Sequence, residues 1–290
     1  MRGRSWGVAA AVALIAAAPV TATELRSGGK LLLTRGVSAI EGAGGGGLAS
    51  WALIGGNATR DGIGAQAHAT YVTLPDYELW TGGVAVGLFD RVELSFARQS
   101  FDTGATGALL GLGRGYTFDQ DVFGAKLRLI GDAVYDQDRL LPQIAIGVQH
   151  KRNRDGATIR AVGASDDVGT DYYVAATKLL LAQSLVVNTT LRLTDANQLG
   201  LLGFGGGGKE RSVQLEASAG WLASKRLLIG GEYRSKPDNL GFAREGDAFD
   251  LFAAYAVNRH LSVTAAYVDL GPIATFNKQR GLYLSLQAAF

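Results

Sequence analysis

The chain contains no cysteine, one methionine and five prolines among its 290 residues. Without cysteine it can form no disulfide framework, no thiolate metal site and no lipid attachment at an N-terminal cysteine. After the N-terminus, no apolar run reaches the roughly 20 residues that a membrane-spanning helix needs. A membrane protein of this sequence must therefore cross with strands. Its 41 glycines agree with a chain rich in strands and turns.

Residues 1–22 have the features of a cleaved signal peptide. Arg2 and Arg4 precede an apolar stretch, residues 7–18, and Val20-Thr21-Ala22 supplies the small residues of a cleavage site. Cleavage removes two basic residues and no acidic one, so the 28 basic and 26 acidic residues of the chain become 26 of each. A mature chain without net charge gives no electrostatic support for binding nucleic acid.

From residue 63 onward, apolar and polar residues alternate with a period of two. In residues 213–221, for example, Val, Leu, Ala, Ala and Trp alternate with Gln, Glu, Ser and Gly. Such alternation predicts strands with one apolar and one mostly polar face. We place about 12 strands, an even number as barrels of this kind require, at residues 63–73, 77–88, 91–99, 117–131, 142–151, 171–181, 184–194, 211–222, 225–234, 247–257, 260–269 and 280–290.

Short and long connections alternate between these strands. Tight polar turns such as residues 88–92 and 257–261 join the strands in pairs, and long polar or Gly-rich stretches separate the pairs. Outer-membrane barrels have this pattern, with short periplasmic turns and longer external loops. Because an unpaired backbone group in hydrocarbon costs several kcal/mol, the sheet must close. The sequence predicts an all-β, closed antiparallel transmembrane β-barrel, residues 63–290, in the outer membrane of a Gram-negative bacterium.

The last strand places four apolar residues on one face and ends the chain on an aromatic one. This pattern looks like the C-terminal signal that the outer-membrane assembly machinery recognises, although a soluble edge strand ending in Phe is the alternative. We therefore expect that machinery, outer-membrane lipid and lipopolysaccharide as partners. The assembly-signal residues are Leu284, Leu286, Ala288 and Phe290.

Several charged residues take the opposite parity from their apolar neighbours. A Lys or Arg facing lipid costs about 2–4 kcal/mol at the bilayer midplane, so these side chains are expected inside the barrel. There they are candidates for solute selectivity, because opposed charges can orient a dipolar solute in a pore. They are Glu93, Lys126, Arg128, Lys178, Arg192, Glu216, Glu232 and Asp250.

Residues 23–62 lack the regular alternation. Residues 31–34 and 51–54 could add one strand pair, giving 14 strands. Alternatively the segment, with four consecutive glycines at residues 44–47, folds into the lumen as a plug or lies in the periplasm. We favour the lumen or the periplasm.

Six segments carry a family resemblance: residues 29–34, 37–43, 51–56, 74–77, 86–95 and 141–147. Together they resemble an uncharacterised bacterial outer-membrane protein family, domain of unknown function 3034. The resemblance covers nearly all of the mature chain. It implies no activity and supplies no catalytic residues.

The sequence gives little support for catalysis or for a cofactor. Residues 203–210 nearly match a phosphate-binding loop, but Glu210 replaces the Ser or Thr that binds magnesium and a strand follows where the motif needs a helix. His260 and Ser262 share a face, as in outer-membrane lipid-modifying enzymes, yet no acidic residue is placed to orient the histidine. Three scattered histidines without cysteine argue against a structural metal site. We expect no enzyme, metal or cofactor.

The leading functional prediction is a passive pore or channel for small solutes, with the solute itself unknown. A barrel of about 12 strands is narrow enough to be filled by side chains and by the N-terminal segment. The alternatives are therefore a closed structural or adhesive barrel that acts through its external loops and, less favoured, an outer-membrane lipid-modifying enzyme.

Overall fold

The computed structural model describes residues 30–35, 37–57, 59–208, 211–241, 244–274 and 276–290. The predicted signal peptide, residues 1–22, lies outside these residues. Twelve antiparallel strands form a sheet that closes on itself, because the first strand pairs with the last. They are β1 (Ile63–Thr73), β2 (Glu78–Leu88), β3 (Val92–Asp102), β4 (Thr117–Ile130), β5 (Gln143–Asn153), β6 (Val168–Leu180), β7 (Leu185–Thr194), β8 (Ser212–Ser224), β9 (Leu227–Arg234), β10 (Ala248–Ala256), β11 (Leu261–Asp269) and β12 (Arg280–Ala289).

The helical elements of the described residues are short and lie in the connections. They are α1 (Thr106–Leu109), α2 (Gly156–Ala161) and two 3-10 turns, Leu181–Gln183 and Asn197–Gly200. Among the described residues, no helix is long and apolar enough to cross a membrane.

The predicted closed antiparallel barrel of twelve strands is confirmed. Each predicted strand overlaps an observed one. Alternation over about ten residues is a strong signal for a strand and also fixes which residues face inward. In the described part of the chain, no strand from residues 23–62 joins the sheet, so the alternative of 14 strands is wrong.

The connections divide the barrel into two ends. The short connections 89–91, 181–184, 225–226 and 257–260, with the longer turn 131–142, lie at what we call the turn end. The connections 103–116, 154–167, 195–211, 235–247 and 270–279 lie at the loop end, together with the short link 74–77. The start of β1 and the end of β12 are both at the turn end, since Ile63 pairs with Leu88.

The two faces of the sheet differ in polarity. Large apolar side chains cover the outer face, including Leu191, 53% exposed, and Leu251, 69% exposed. Trp80, Trp221 and Tyr267 also lie exposed on this face. The residues between them point inward and are buried, and most of the buried charged residues of the strands belong to this inner set. An apolar outside and a polar inside suit a barrel surrounded by lipid.

A charge on the outer face should therefore destabilise the barrel. Leu191 lies beside exposed Val174 and Leu215 on the neighbouring strands. We expect Leu191→Arg to lower the free energy of unfolding in lipid vesicles by about 2–4 kcal/mol, measured by urea titration. Leu191→Met, which keeps an apolar side chain of similar volume, is the control and should cost much less. An equal loss in both variants would contradict the assignment of this face to lipid.

Candidate functional site in the barrel interior

A segment of the chain that precedes β1 fills the middle of the barrel. We call residues 37–57 the inner segment; every residue from 38 to 57 is buried. Its backbone folds on itself, with isolated bridges joining Ser38 to Gly44 and Gly45 to Ser50. Among the described residues, its backbone bonds to the rest of the chain run to Arg35 and to the C-terminal residue, not into the sheet. The inner segment therefore occupies the lumen without being part of the wall.

Side chains of the wall bind the backbone of the inner segment. Glu93 accepts hydrogen bonds from the backbone N–H of Gly44 (3.0 Å) and of Gly55 (2.7 Å). Glu232 accepts one from Leu48 (2.7 Å), and Glu216 accepts one from the backbone N–H of residue 50 (2.8 Å). Buried backbone groups in a segment without regular secondary structure need such partners. The polar wall thus supplies what strand pairing would otherwise provide.

Glycine is required where the inner segment approaches these carboxylates. A Cβ atom added to Gly46 would lie 1.7 Å from Oε1 of Glu232, and one added to Gly44 would lie 2.7 Å from Oε2 of Glu93. Only a residue without a side chain allows the backbone this close. Close contact with the wall therefore explains Gly44 and Gly46, two of the four consecutive glycines.

Charged side chains of alternating sign cross five adjacent strands of the inner face. Lys151 of β5 lies 2.6 Å from Asp171 of β6, which lies 3.3 Å from Arg192 of β7. Arg192 lies 2.5 Å from Glu216 of β8, which lies 3.5 Å from Arg234 of β9. We call these five residues the charge ladder. All of them are buried, so each charge depends on its neighbours for compensation.

Glu41 is the only charged residue of the inner segment and lies on the charge ladder. Its side chain is fully buried, with 0% exposure. Oε1 pairs with the ammonium group of Lys151. Oε2 lies 2.7 Å from Nη1 of Arg234 and 3.8 Å from Nη2 of Arg192. One carboxylate thus contacts the three cations of the ladder.

A second set of charges lies beside the glycine run. The ammonium group of Lys126 lies 3.1 Å from Glu93 and donates to the carbonyls of Gly44 and Leu53, both at 2.8 Å. Glu232 and Asp250 are register partners on β9 and β10, which places two carboxylates side by side. Lys126 therefore holds the inner segment through its carbonyl groups, whereas Glu93 and Glu232 hold it through its N–H groups.

Six of the eight predicted selectivity residues face this interior. They are Glu93, Lys126, Arg192, Glu216, Glu232 and Asp250, all buried. Arg128 lies at the turn end of the lumen, where it pairs with Asp90 and with Asp132. The role of the predicted residues in selecting solutes stays a prediction.

The structure corrects the placement of Lys178. It is the register partner of Val187, which is exposed on the outer face, and its ammonium group donates to the carbonyls of Asp136 and Leu141 in the turn 131–142. Lys178 therefore does not line the lumen. Residues 179–181 are all leucine, so the period of two is lost at this end of β6 and no longer indicates the direction of the side chain.

The sequence interpretation missed four residues of the interior: Glu41, Lys151, Asp171 and Arg234. The last three lie at the ends of their predicted strands, where their parity was already the inward one. Following the alternation to the first or last residue of each strand would have found them. Glu41 carries no such signal, because the inner segment has no period and its partners are 110 and 193 residues away in sequence.

The connection between β7 and β8 closes the loop end. We call residues 196–205 the cap. The carbonyl of Leu199 accepts hydrogen bonds from Lys151 (3.1 Å) and Gln120 (3.2 Å), and Phe204 is buried with 1% exposure. Gln198 and Leu199 both have positive φ, 44° and 65°, a strained conformation for residues other than glycine. Because Lys151 bonds both Glu41 and the cap, it links the inner segment to the cap.

A buried pair of charged residues lies beneath the cap. The ammonium group of Lys236 donates to Oε1 of Gln198 (2.9 Å), and Glu245 accepts from the backbone N–H of the same residue. Burial lowers the pKa of Lys236 to about 8 and raises the pKa of Glu245 to about 7. Asp238, whose carboxylate accepts from the backbone N–H of Glu245, adds to the upward shift.

His260 and Ser262 do not bond each other. The hydroxyl of Ser262 donates to Gln287 (3.1 Å), and Nδ1 of His260 lies 2.9 Å from the carbonyl of Ala289. Arg259 donates to the other ring nitrogen of His260 (2.9 Å). Within the described residues, no group of three or more His, Asp or Glu could hold a metal ion. The geometry thus supplies no catalytic pair at this position.

The four residues of the predicted assembly signal follow the outer face of β12. Leu284 and Leu286 are 55% and 42% exposed, Ala288 is half-buried and Phe290 is exposed beyond the end of the strand. Their role in assembly stays a prediction.

Comparison with known proteins supports the fold and the family. The sequence profile of the family of proteins of unknown function, DUF3034, matches residues 34–287, which confirms the resemblance found in the sequence. No curated protein matches the sequence significantly.

Among solved structures, the chain resembles the KdgM porin with a TM-score of 0.52 and 9% identity, over 78% of this chain and 99% of the porin. The KdgM porin in complex with disordered oligogalacturonate gives a TM-score of 0.51 and 10% identity over the same shares of the two chains. The NanC porin, at 8% identity over 78% of this chain and 98% of that chain, has a TM-score of 0.48. The likeness to the KdgM porin shows a barrel fold of the outer-membrane porin type.

The buried pair of Lys126 and Glu93 should show strong energetic coupling. Lys126→Met leaves the carboxylate of Glu93 without its cation, so we expect the free energy of unfolding to fall by about 3–5 kcal/mol. Adding Glu93→Gln removes the uncompensated charge, and the double variant should lose less than the sum of the two single losses. Urea unfolding of all four proteins in lipid vesicles measures this coupling. Additive losses would show that the pair does not interact.

Stability should also depend on pH through Glu245. Its pKa in the folded protein, about 7, lies above its ordinary value of 4.5. Its stabilising contribution is therefore present below pH 4.5 and is lost as the pH rises through 7. We expect the free energy of unfolding to fall between pH 5 and 7 and this fall to be smaller in Glu245→Gln. The pKa of Lys236, about 8, lies above this range. Identical slopes in both proteins would contradict the prediction.

Proposed function

We propose that this chain, which belongs to the family of proteins of unknown function DUF3034, is an outer-membrane channel for small solutes. The inner segment closes this channel. In this proposal the turn end faces the periplasm and the loop end faces outward, as in barrels with short periplasmic turns. The channel conducts when the inner segment leaves the lumen.

The observation that carries the proposal is that the wall is complete without the inner segment. β1 pairs with β12, so the sheet closes through its own strands. Removing residues 37–57 from the lumen breaks hydrogen bonds to wall side chains and the backbone bond from Asn57 to Phe290, but no strand pairing. The wall that would remain is lined by Glu93, Lys126, the charge ladder and further polar residues, and a wall of this kind suits a water-filled path.

The inner segment can leave only toward the turn end. At its C-terminal side it is tied there, because the backbone N–H of Asn57 donates to the carbonyl of Phe290 (2.9 Å). Lys30, which precedes the segment, lies 2.8 Å from Asp90 of the β2–β3 turn. Both ends of the segment are thus held at the same end of the barrel, and the cap covers the other. Lys151 contacts both Glu41 of the inner segment and Leu199 of the cap. Displacing Glu41 therefore removes one partner of the lysine that also binds the cap.

Lipid, lipopolysaccharide and the assembly machinery remain the expected partners. The apolar outer face supports contact with lipid, and Leu284, Leu286, Ala288 and Phe290 are the residues proposed to be recognised during assembly. We assign no catalytic role, because Ser262 and His260 bond other residues.

The compact cap favours one alternative, a closed barrel that acts through its external loops. Asn153 donates to the carbonyl of Leu201 (2.9 Å), and Gln198 is bonded by Glu245, Lys236 and Pro272. These contacts give the loop end a fixed shape, which a surface for adhesion needs. Such a barrel would never conduct, and this separates it from a channel.

A disulfide that ties the inner segment to the wall should abolish conductance. Ala52 packs in one buried cluster with Ala145 and Ala175, and its carbonyl accepts from Gln143 (2.6 Å). Because the chain has no cysteine, the intended bond is the only disulfide possible within the chain when Ala52→Cys is combined with Ala145→Cys or with Ala175→Cys. In planar bilayers we expect conductance steps under reducing conditions and their loss on oxidation.

The single variant Ala52→Cys is the matched control and should conduct equally in both conditions. Equal currents from the oxidised and reduced double variant would show that the inner segment does not close the path. If neither the wild type nor the reduced variant conducts, the closed barrel becomes the better account.

A further inference from the structure

Glu41 compensates a charge that the wall leaves unbalanced. Without Glu41, the charge ladder consists of three cations, Lys151, Arg192 and Arg234, and two carboxylates, Asp171 and Glu216. It therefore carries one uncompensated positive charge. Buried charges require compensation, and Glu41 supplies it from a segment that is not part of the sheet.

The geometry of this site suits a carboxylate. The two oxygens of Glu41 are divided between cations, with Oε1 on Lys151 and Oε2 on Arg234 at 2.7 Å. Nη2 of Arg192 lies further off, 3.8 Å from Oε2, and donates instead to the hydroxyl of Ser50 at 2.9 Å. Guanidinium groups bind carboxylates through directed hydrogen bonds, and a single halide ion cannot place two acceptor atoms on two cations.

The wall beside the site also offers hydrogen-bond acceptors. Glu232 accepts from the backbone N–H of Leu48, and Glu216 accepts from that of Ser50. The inner segment thus presents a carboxylate to the cations and N–H donors to the acidic residues beside them. A small solute carrying a carboxylate and donor groups such as hydroxyls would meet the same partners.

We propose that Lys151, Arg192 and Arg234 form a binding site for the carboxylate of a small solute, and that Glu41 occupies this site while the lumen is closed. This inference rests on the proposed channel function and names its substrate class: small organic acids. Entry of such a solute and departure of Glu41 are then competing events at one site. Inorganic anions of the same charge compete less well.

Chemical rescue tests the site without requiring conductance. Glu41→Ala leaves the three cations without their carboxylate, and acetate is small enough to replace it. We expect acetate, at about ten times its Kd, to raise the folded-to-unfolded ratio of Glu41→Ala about tenfold over chloride at equal ionic strength. Urea unfolding in lipid vesicles gives the ratio. Glu41→Gln, whose amide fills the position, should gain nothing from acetate.

Glu232→Ala is the matched control, because it also truncates a buried carboxylate that binds the inner segment, and among the described residues this carboxylate pairs with no cation. Acetate should not rescue it. Equal ratios in acetate and chloride for Glu41→Ala would overturn the proposal, and so would an equal gain for Glu232→Ala. If Glu41→Ala does not fold in chloride, the folded fraction is the readout: folding in acetate supports the site, and failure in both salts overturns it.

Bilayer currents separate this inference from the proposed function. Rescue by acetate in a protein that never conducts would keep the carboxylate site and reject the channel. Currents that the disulfide abolishes, without rescue of Glu41→Ala, would keep the channel and reject the site.

Discussion

A backbone surrounded by hydrocarbon has no water with which to form hydrogen bonds, and the rest of this structure depends on that constraint. The sheet meets it by closing, with β1 on β12, so that no strand edge is left open. Closure then divides the side chains into two sets, since successive residues of a strand point to opposite faces. Apolar residues take the outside, and the charged residues that lipid excludes are collected within a narrow lumen.

That lumen creates a second requirement, because its charges are buried together. The charge ladder meets it by alternating signs from β5 to β9, and Glu41 completes it. Replacing buried ion pairs by apolar residues often stabilises a protein, so such a network is weak support for a purely structural role. In the proposed channel, water replaces the inner segment when the lumen opens, and the wall then needs these charged residues. The inner segment is bound through its backbone by Glu93, Lys126 and Glu232. It therefore fills the lumen without being joined to the sheet.

Much of the barrel could be predicted from the sequence because period two is a strong signal over ten residues. It located all twelve strands and put residues such as Arg192 and Glu216 on the inner face. The signal fails where alternation stops, as at Lys178 before a run of leucines. It also says nothing of the inner segment, whose glycines fit against Glu93 and Glu232 only once the barrel has brought distant strands together. The role of Glu41 is a property of that assembly, since its partners lie on β5, β7 and β9.

The central claim is that the inner segment is a separable occupant of a complete barrel. Amide hydrogen exchange of the full chain in lipid nanodiscs, followed by mass spectrometry, tests it most directly. We expect the amides of residues 37–57 to exchange together, faster than those of the strands, while the barrel stays closed. Exchange of these amides only as slowly as the strands would contradict it, because the segment would then be a permanent core of a barrel that does not open.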